Sequence, residues 1–395
     1  MSGARPLVAH VTTTDISLEL LLGTQLEAFA RAGFEVIGVS APGPYVTALE
    51  KRGVRHEPLT HATRSMAPTK DIGAFVELVR IFRRLRPEIV HTHNPKPGVY
   101  GRIAARVAAV PVNVNTVHGL YAQSDDRAAK RALVYGLERV AATCSHAELV
   151  QNPEDHETLA RLRVPAAKLT LLGNGIDLER FDPSAVSVDA AQRARLELGA
   201  REPTDVIVGL VGRLVREKGY PEVFEAARRL RVRMPYVRFA VIGGDDAAKS
   251  DALSPRDLRS AEAAGVRLLG ARDDMVAFYR GMDVYVLASH REGFPRAAME
   301  AAAMGLPAVA TDVRGCRQVV DHELTGLLVP ARDVTALEAA IAALASDPER
   351  RHAMGAAARA KAAKQFDVRR CIDITLSTYH RLLEARGSSR IQTAP

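Results

Sequence analysis

The stretch Val206-Ile207-Val208-Gly209-Leu210-Val211-Gly212-Arg213-Leu214-Val215-Arg216-Glu217-Lys218-Gly219 runs from an apolar core strand into a glycine-bounded turn, and Pro221 to Arg231 follows as a helix. Strand, turn and helix in that order mark the place where open parallel sheets bind ligands. The glycines miss the G-x-G-x-x-G fingerprint of dinucleotide folds, and Gly219 stands where a P-loop needs Ser or Thr, so neither motif is met. Arg213 nevertheless offers a fork for phosphate oxygens, and Lys218 a flexible point charge at the helix entrance.

Outward from this stretch the same unit repeats. Strands are predicted at Val237 to Ile242, Val266 to Leu269 and Val284 to Ala288, with a helix near Leu253 to Ala264. Toward the N-terminus they fall at Leu7 to Val11, Glu35 to Ser40, Ile89 to His93, Val112 to His118 and Leu169 to Leu172. Amphipathic segments separate them, and Leu18 to Ala32 carries apolar residues at helical spacing up to a stop at Gly33. The alternation predicts an α/β chain of two doubly wound Rossmann-like domains facing a cleft. Gly173-Asn174-Gly175 and Phe181-Asp182-Pro183 mark the hinge, dividing 1–185 from 186–366. In the remaining 367–395, Val368 to Glu384 reads as a helix with one apolar face (Ile372, Leu376, Tyr379, Leu383), expected to cross back to the first domain.

Composition agrees with two ordinary domains: 395 residues, 47% hydrophobic and 25% charged. Cys144, Cys316 and Cys371 are too few and too scattered for a disulfide framework, which points to a reducing, cytoplasmic compartment. No apolar run reaches the ~18 residues of a membrane span. The net charge of +8 does not signal nucleic acid, because Trp is absent and aromatics make up only 5% of the chain.

A second informative stretch is Ser289-His290-Arg291-Glu292-Gly293-Phe294-Pro295-Arg296-Ala297-Ala298-Met299-Glu300, which follows a strand and opens an Ala-rich helix. Pro295 suits the first helical position, leaving Gly293 and Phe294 just ahead, where free N–H groups and the helix dipole favour a diphosphate. Glu300 then lies ~7.5 Å further along the axis, at the usual rise per residue. Two carboxylates beside an anion site are tolerable if each faces neutral hydroxyls, and a nucleotide sugar supplies both kinds of partner.

With these residues in view, the chain resembles the family 4 retaining glycosyltransferases, whose fold is GT-B, and bacterial transferases of surface-polysaccharide assembly in particular. The family's Arg and Lys that bind the donor diphosphate match Arg213 and Lys218, and its E-x7-E signature matches Glu292 and Glu300. Gly305-Leu306-Pro307-Ala308-Val309-Ala310-Thr311 and the hinge Asn174-Gly175-Ile176-Asp177 match further motifs, so the likeness covers nearly the whole chain. The resemblance implies that Glu300 accepts from ribose hydroxyls, while Glu292 and the amides of Gly293, Phe294 and Pro295 meet the donor sugar and phosphates. It also implies that His118, in Asn115-Thr116-Val117-His118-Gly119, lies beside the reacting sugar.

The sequence contains no Asp-x-Asp triplet; Asp245-Asp246 and Asp273-Asp274 are adjacent pairs suited to loops. No metal and no bound cofactor are therefore expected, and Arg213, Lys218 and the helix N-terminus would meet the charge on the leaving diphosphate. Retention would follow from attack on the leaving-group face or from a covalent intermediate on Glu292. The resemblance implies a UDP-linked hexose or N-acetylhexosamine as donor, and a saccharide or polyprenyl-diphosphate-linked sugar as acceptor. Rival readings are a nucleotide-sugar 2-epimerase of similar fold and a non-catalytic sugar-nucleotide sensor.

Other features bear on the acceptor side. Thr12-Thr13-Thr14-Asp15 stands where many family members have a Gly pair; Asp15 is expected to cap the next helix, with acceptor contact as the other reading. His91-Thr92-His93-Asn94-Pro95-Lys96 ends a strand, and its histidines would suggest zinc only with a converging third ligand; otherwise they are candidates to touch acceptor or leaving group. Lys70, Arg80, Arg83, Arg84 and Arg86 interleave with apolar residues, an amphipathic pattern that serves either packing on the sheet or peripheral contact with an anionic membrane.

Overall fold

The structure is a computed structural model that describes residues 5–63, 67–93, 95–122, 126–244, 249 and 251–392. Asn94 and the Asp245-Asp246 pair lie outside the described residues. The chain forms two compact units, Met1–Gly173 with Val368–Pro395, and Asn174–Asp367.

The first unit holds strands β1 (Leu7–Thr14), β2 (Glu35–Ala41), β3 (Arg55–Pro58), β4 (Ile89–His93), β5 (Val112–Val117), β6 (Ala147–Val150) and β7 (Leu169–Leu171). They form one sheet in the order β3-β2-β1-β4-β5-β6-β7, parallel at every pairing. Both faces are buried, as a parallel sheet requires. Alternate residues serve opposite cores: Val8, Val36 and Ile89 belong to one cluster, Ala9, Ile37 and Val90 to the other. The helix Val368–Gln392 supplies Val368, Cys371, Ile372 and Tyr379 to the first of these clusters, which is why it belongs to this unit.

The second unit holds β8 (Val206–Val211), β9 (Val237–Ile242), β10 (Val266–Leu268), β11 (Val284–Leu287), β12 (Ala308–Thr311) and β13 (Gly326–Val329). Their order is β10-β9-β8-β11-β12-β13, again parallel throughout. Strand order reverses between β1 and β4 in one sheet and between β8 and β11 in the other, so each unit has its own switch point.

Three sequence expectations are revised. The division falls at Gly173/Asn174, before the Phe181-Asp182-Pro183 turn rather than after it at 185/186. The reason is packing: Ile176 N–H donates to Phe366 O at 2.8 Å, and Ile176 and Phe181 sit in a core of the second unit. The expected helix Leu18 to Ala32 is a π-helical stretch Ser17–Leu22 followed by Gly23–Arg31; apolar spacing identifies the buried face, Leu18, Leu22, Leu26 and Phe29, but not how tightly the turn winds. Pro295 is the N-cap of the helix Arg296–Ala303, with extended ψ of 110°, rather than its first helical residue.

Candidate active site

In the second unit the chain leaves β8 through Gly212, and Arg213 is exposed. A short 3-10 turn, Arg216–Lys218, leads to Gly219, whose left-handed φ of 71° and close approach to β11 both demand glycine. A Cβ there would lie 2.0 Å from the Ala288 carbonyl oxygen. That approach brings the two candidate stretches together: Lys218 Nζ is 2.5 Å from Glu292 Oε1, which also accepts from Ser289 Oγ at 2.7 Å.

The loop that carries Glu292 is pinned from several sides. His290 N–H donates to Glu217 O at 2.8 Å, its ring Nε2 lies 2.7 Å from Glu222 Oε1, and Thr311 Oγ1 donates to Ser289 O. Gly315 presses on the same loop; a Cβ there would stand 2.7 Å from the Glu292 carbonyl. Beyond it, the helix Arg296–Ala303 has no side-chain cap, so its first-turn N–H groups are directed at the space beside Gly293 and Phe294. Glu300 sits on this helix with each oxygen held: Tyr279 OH donates to Oε2 at 3.0 Å and Arg296 Nε to Oε1 at 3.0 Å. Burial, reinforced by Glu300, pushes the Tyr279 hydroxyl well up, so it stays a donor. An ionised carboxylate has about four acceptor positions, which leaves Glu300 capacity for two hydroxyls. Nearby Cys316 is an inert thiol, its pKa raised by burial and by Glu292.

In the first unit, His118 follows β5, half-buried, and its Nε2 lies 3.0 Å from His93 Nδ1. His91 and His93 are buried to 2% exposure, so they are not contacts for acceptor or leaving group. A third histidine converges on them: His10, from β1, places Nδ1 3.0 Å from His93 Nε2, and ligand atoms of His10, His91 and His93 all lie within 4.8 Å of one another. Sequence reasoning missed His10, although a polar residue at a strand position otherwise filled by Val and Ala was a signal. Register explains the meeting, because His10 pairs with His91 and His93 with Thr116, all on one face of neighbouring strands.

Lys96 is occupied, with Nζ 2.5 Å from Asp71 Oδ1. Asp15 is not a helix cap: it accepts from its neighbour Ile16 N–H at 2.9 Å and from Tyr45 N–H at 2.7 Å, tying down the loop after β2.

Burial pushes the His10 imidazole down to about 3 and that of His118 to about 4. His91 and His93 are driven well below their ordinary value by burial, with the neighbouring histidines adding to it. An unfolded histidine takes up its proton near pH 6.5, whereas these stay neutral in the fold, so their stabilisation is complete above that pH and is lost below it. Each contributes a slope of about 1.4 kcal/mol per pH unit. The melting temperature is therefore expected to fall steeply as pH drops from 6.5 toward 4; a flat profile in thermal melts over that range would contradict the burial of neutral imidazoles.

Two family profiles match the chain, "Glycosyltransferase Family 4" over residues 19–180 and "Glycosyl transferases group 1" over residues 196–361. The chain belongs to the family 4 glycosyltransferases, and it is an enzyme of that class with two GT-B-type Rossmann units. It is 31% identical to the UDP-Gal:alpha-D-GlcNAc-diphosphoundecaprenol alpha-1,3-galactosyltransferase of Escherichia coli, over 72% of this chain and 73% of that protein. It is 26% identical to the capsular polysaccharide biosynthesis glycosyltransferase CapM of Staphylococcus aureus, over 91% and 93% of the two chains. Among solved structures, the sucrose-phosphate synthase of Thermosynechococcus elongatus superposes with a TM-score of 0.81 at 24% identity, over 96% of this chain and 100% of that one.

Proposed function

We propose that this glycosyltransferase is retaining and metal-independent, and moves a hexose or N-acetylhexosamine from a UDP-sugar to a polyprenyl-diphosphate-linked saccharide in surface-polysaccharide synthesis. The observation that carries the reading is the meeting of Lys218 and Glu292 at the switch point of the second sheet, beside an uncapped helix N-terminus. A phosphate-binding cation, a sugar-facing acid and a helix start without a side-chain cap thereby meet, in a chain that has no Asp-x-Asp. The names of the E. coli and S. aureus relatives support the donor, acceptor and pathway assigned here. A differential binding screen across UDP-, GDP- and ADP-sugars, followed by transfer to a diphosphoundecaprenyl-linked sugar, tests it. Preference for a GDP- or ADP-sugar, or epimerisation without transfer, would contradict it. Activity is expected to survive a chelator; loss restored only by a divalent ion would show that the diphosphate charge is met by metal.

In this reading His118 stands beside the reacting sugar, Arg213 and Lys218 meet the leaving diphosphate, Gly293, Phe294 and Pro295 frame the phosphates, and Glu300 accepts from the ribose.

A lipid-linked acceptor calls for work at the inner face of the cell membrane. No helix among the described residues is long and apolar enough to cross it. The contact is assigned to the helix Ala128–Thr143 rather than to the basic segment from Lys70 to Arg86. In the latter, Leu78, Val79, Ile81 and Phe82 pack inward and Arg84 pairs with Glu57, so most of its apolar face is spent on the sheet. The helix Ala128–Thr143 instead exposes Leu133 (61%), Leu137 (45%) and Val140 (57%) along one face, beside exposed Arg127 and Arg139. Wild-type protein is expected to co-sediment with anionic but not neutral vesicles, less so as salt rises. Changing Leu133, Leu137 and Val140 to Ser should abolish this, while changing Arg83, Arg84 and Arg86 to Ser leaves most of it. The reverse ranking would return the role to the Lys70 to Arg86 segment.

A further inference from the structure

The three buried histidines and half-buried His118 are joined in one series through Tyr379. His118 Nε2 meets His93 Nδ1 at 3.0 Å, and His93 Nε2 meets His10 Nδ1 at 3.0 Å. His10 Nε2 lies 3.4 Å from the Tyr379 hydroxyl, which lies 2.5 Å from His91 Nδ1. His91 Nε2 ends the series on Thr116 Oγ1 at 2.7 Å. The rings have little room to turn: His10 stacks on Phe29, centroids 5.4 Å apart and planes 8° from parallel, and His91 stacks on His93 at 4.2 Å.

A neutral imidazole donates at one nitrogen and accepts at the other, so the role at one end of each ring dictates the role at the other end. The Tyr379 hydroxyl has a single proton and can donate to only one of its two neighbours. If all members are neutral and all bonds are made, three proton orders exist: one running each way along the series, and one in which the Tyr379 oxygen accepts from both His10 and His91. The buried hydroxyls select among them: Thr116 Oγ1 has His91 Nε2 as its one hydrogen-bond partner among the described residues, so its proton goes there, and the Tyr379 hydroxyl, which faces only His91 and His10, then gives its own proton to His10. His118 Nε2 is left as an acceptor for His93, and its proton is on Nδ1. Thr116 then donates to His91, His91 to Tyr379, Tyr379 to His10, His10 to His93, and His93 to Nε2 of His118. A metal centre fits less well, since both nitrogens of His93 face other imidazoles at hydrogen-bond distance, and zinc would hold each ligand nitrogen at about 2.0–2.1 Å.

We propose that His93, His10 and Tyr379 are positioning residues that fix the ring orientation and the Nδ1–H tautomer of His118. The proposal rests on the reading of His118 as a group beside the reacting sugar. It gives the C-terminal helix a share in the reaction, since Tyr379 closes the series. It also makes His118 a neutral, oriented group rather than a proton donor.

The test begins with the wild-type enzyme, needing no substitution: nitrogen-15 NMR of histidine-labelled protein should show His118 with Nδ1 protonated and Nε2 bare. Tyr379→Phe keeps the ring against Phe29 and Phe34 and deletes only the hydroxyl. In that variant the His118 signals should move toward a mixture of both tautomers, and kcat should fall about tenfold with the donor KM little changed, as expected of a misplaced group. An Nε2-protonated His118 in the wild type, or unchanged His118 signals in Tyr379→Phe, would overturn the proposal. Stoichiometric zinc in the purified enzyme, lost in His10→Ala, would overturn it in favour of a metal centre. His118→Ala separates the two levels: wild-type turnover in that variant would remove the catalytic reading of His118, while the tautomer measurement would still decide whether the series orders its ring.

Discussion

Lys218→Ala is expected to lower kcat by about two orders of magnitude, and Arg213→Ala to do the same, since one preorganised donor to a developing anion is worth about 3 kcal/mol. When the bond from anomeric carbon to phosphate breaks, negative charge gathers on the departing diphosphate, and a cation already fixed in place stabilises it without reorganising. Lys218 is so fixed by Glu292 at 2.5 Å. Of its three N–H donors that bond takes one, which leaves two for phosphate oxygens. The side chains of the pair are 23% and 10% exposed, so removing the ammonium leaves a largely buried Glu292 with Ser289 Oγ as its donor and also costs some folding stability. Steady-state kinetics with the preferred nucleotide sugar, run well below the melting temperature of each variant, should show the loss in kcat rather than in KM. Turnover within about threefold of wild type in both variants would contradict the assignment of these cations to the leaving group.

The parts of this site that sequence made legible share a property: each is local. Gly219, Lys218, Glu292 and Glu300 stand at fixed offsets from a strand end or a helix start, and the βαβ rhythm places those ends at a switch point. Shortness alone did not hide a strand, since the three-residue β7 and β10 were read; polar strands, and short ones beside alanine-rich helices, were not. β3 is Arg-His-Glu-Pro at a sheet edge, and β6 has Glu148 in its middle, so neither carries an apolar run. β12 and β13 have four residues each, too few for periodicity to separate from the Ala-rich helices around them. The histidine series was illegible for another reason: its members come from β1, β4, β5 and the C-terminal helix, and only sheet order and register bring them together. The basic segment could not be resolved from sequence because interleaved cations and apolar residues describe a packed helix as well as a docked one; which apolar residues are buried (Leu78, Val79, Ile81, Phe82) and which are exposed (Ile72, Val76) is a tertiary property.

Arg102→Ala is expected to destabilise the first unit by about 3–5 kcal/mol, the largest loss of stability predicted for a single change in this chain. The guanidinium is fully buried between two acids, with NH1 2.7 Å from Glu148 Oε1 and NH2 2.6 Å from Glu138 Oε1, while Nε donates to the Gly98 carbonyl. Burial alone would lower its pKa, but Glu138 and Glu148 more than reverse that, so it stays charged. Glu148 is completely buried and also accepts from Asn115 Nδ2 at 2.8 Å and from Ser145 Oγ, so this cluster ties the Pro95–Val107 and Ala128–Thr143 helices to β5 and β6. Without the cation, two carboxylates face each other in a medium that cannot solvate them, and the unit must take up protons or open. For a unit of this size the melting temperature should fall by roughly 10 °C. Arg102→Met tests whether the loss comes from charge or from volume: filling the space without the charge should recover little, whereas adding Glu138→Leu and Glu148→Gln to it should return at least half the stability. Recovery by Arg102→Met alone would mean that packing, not the unpaired acids, sets the cost.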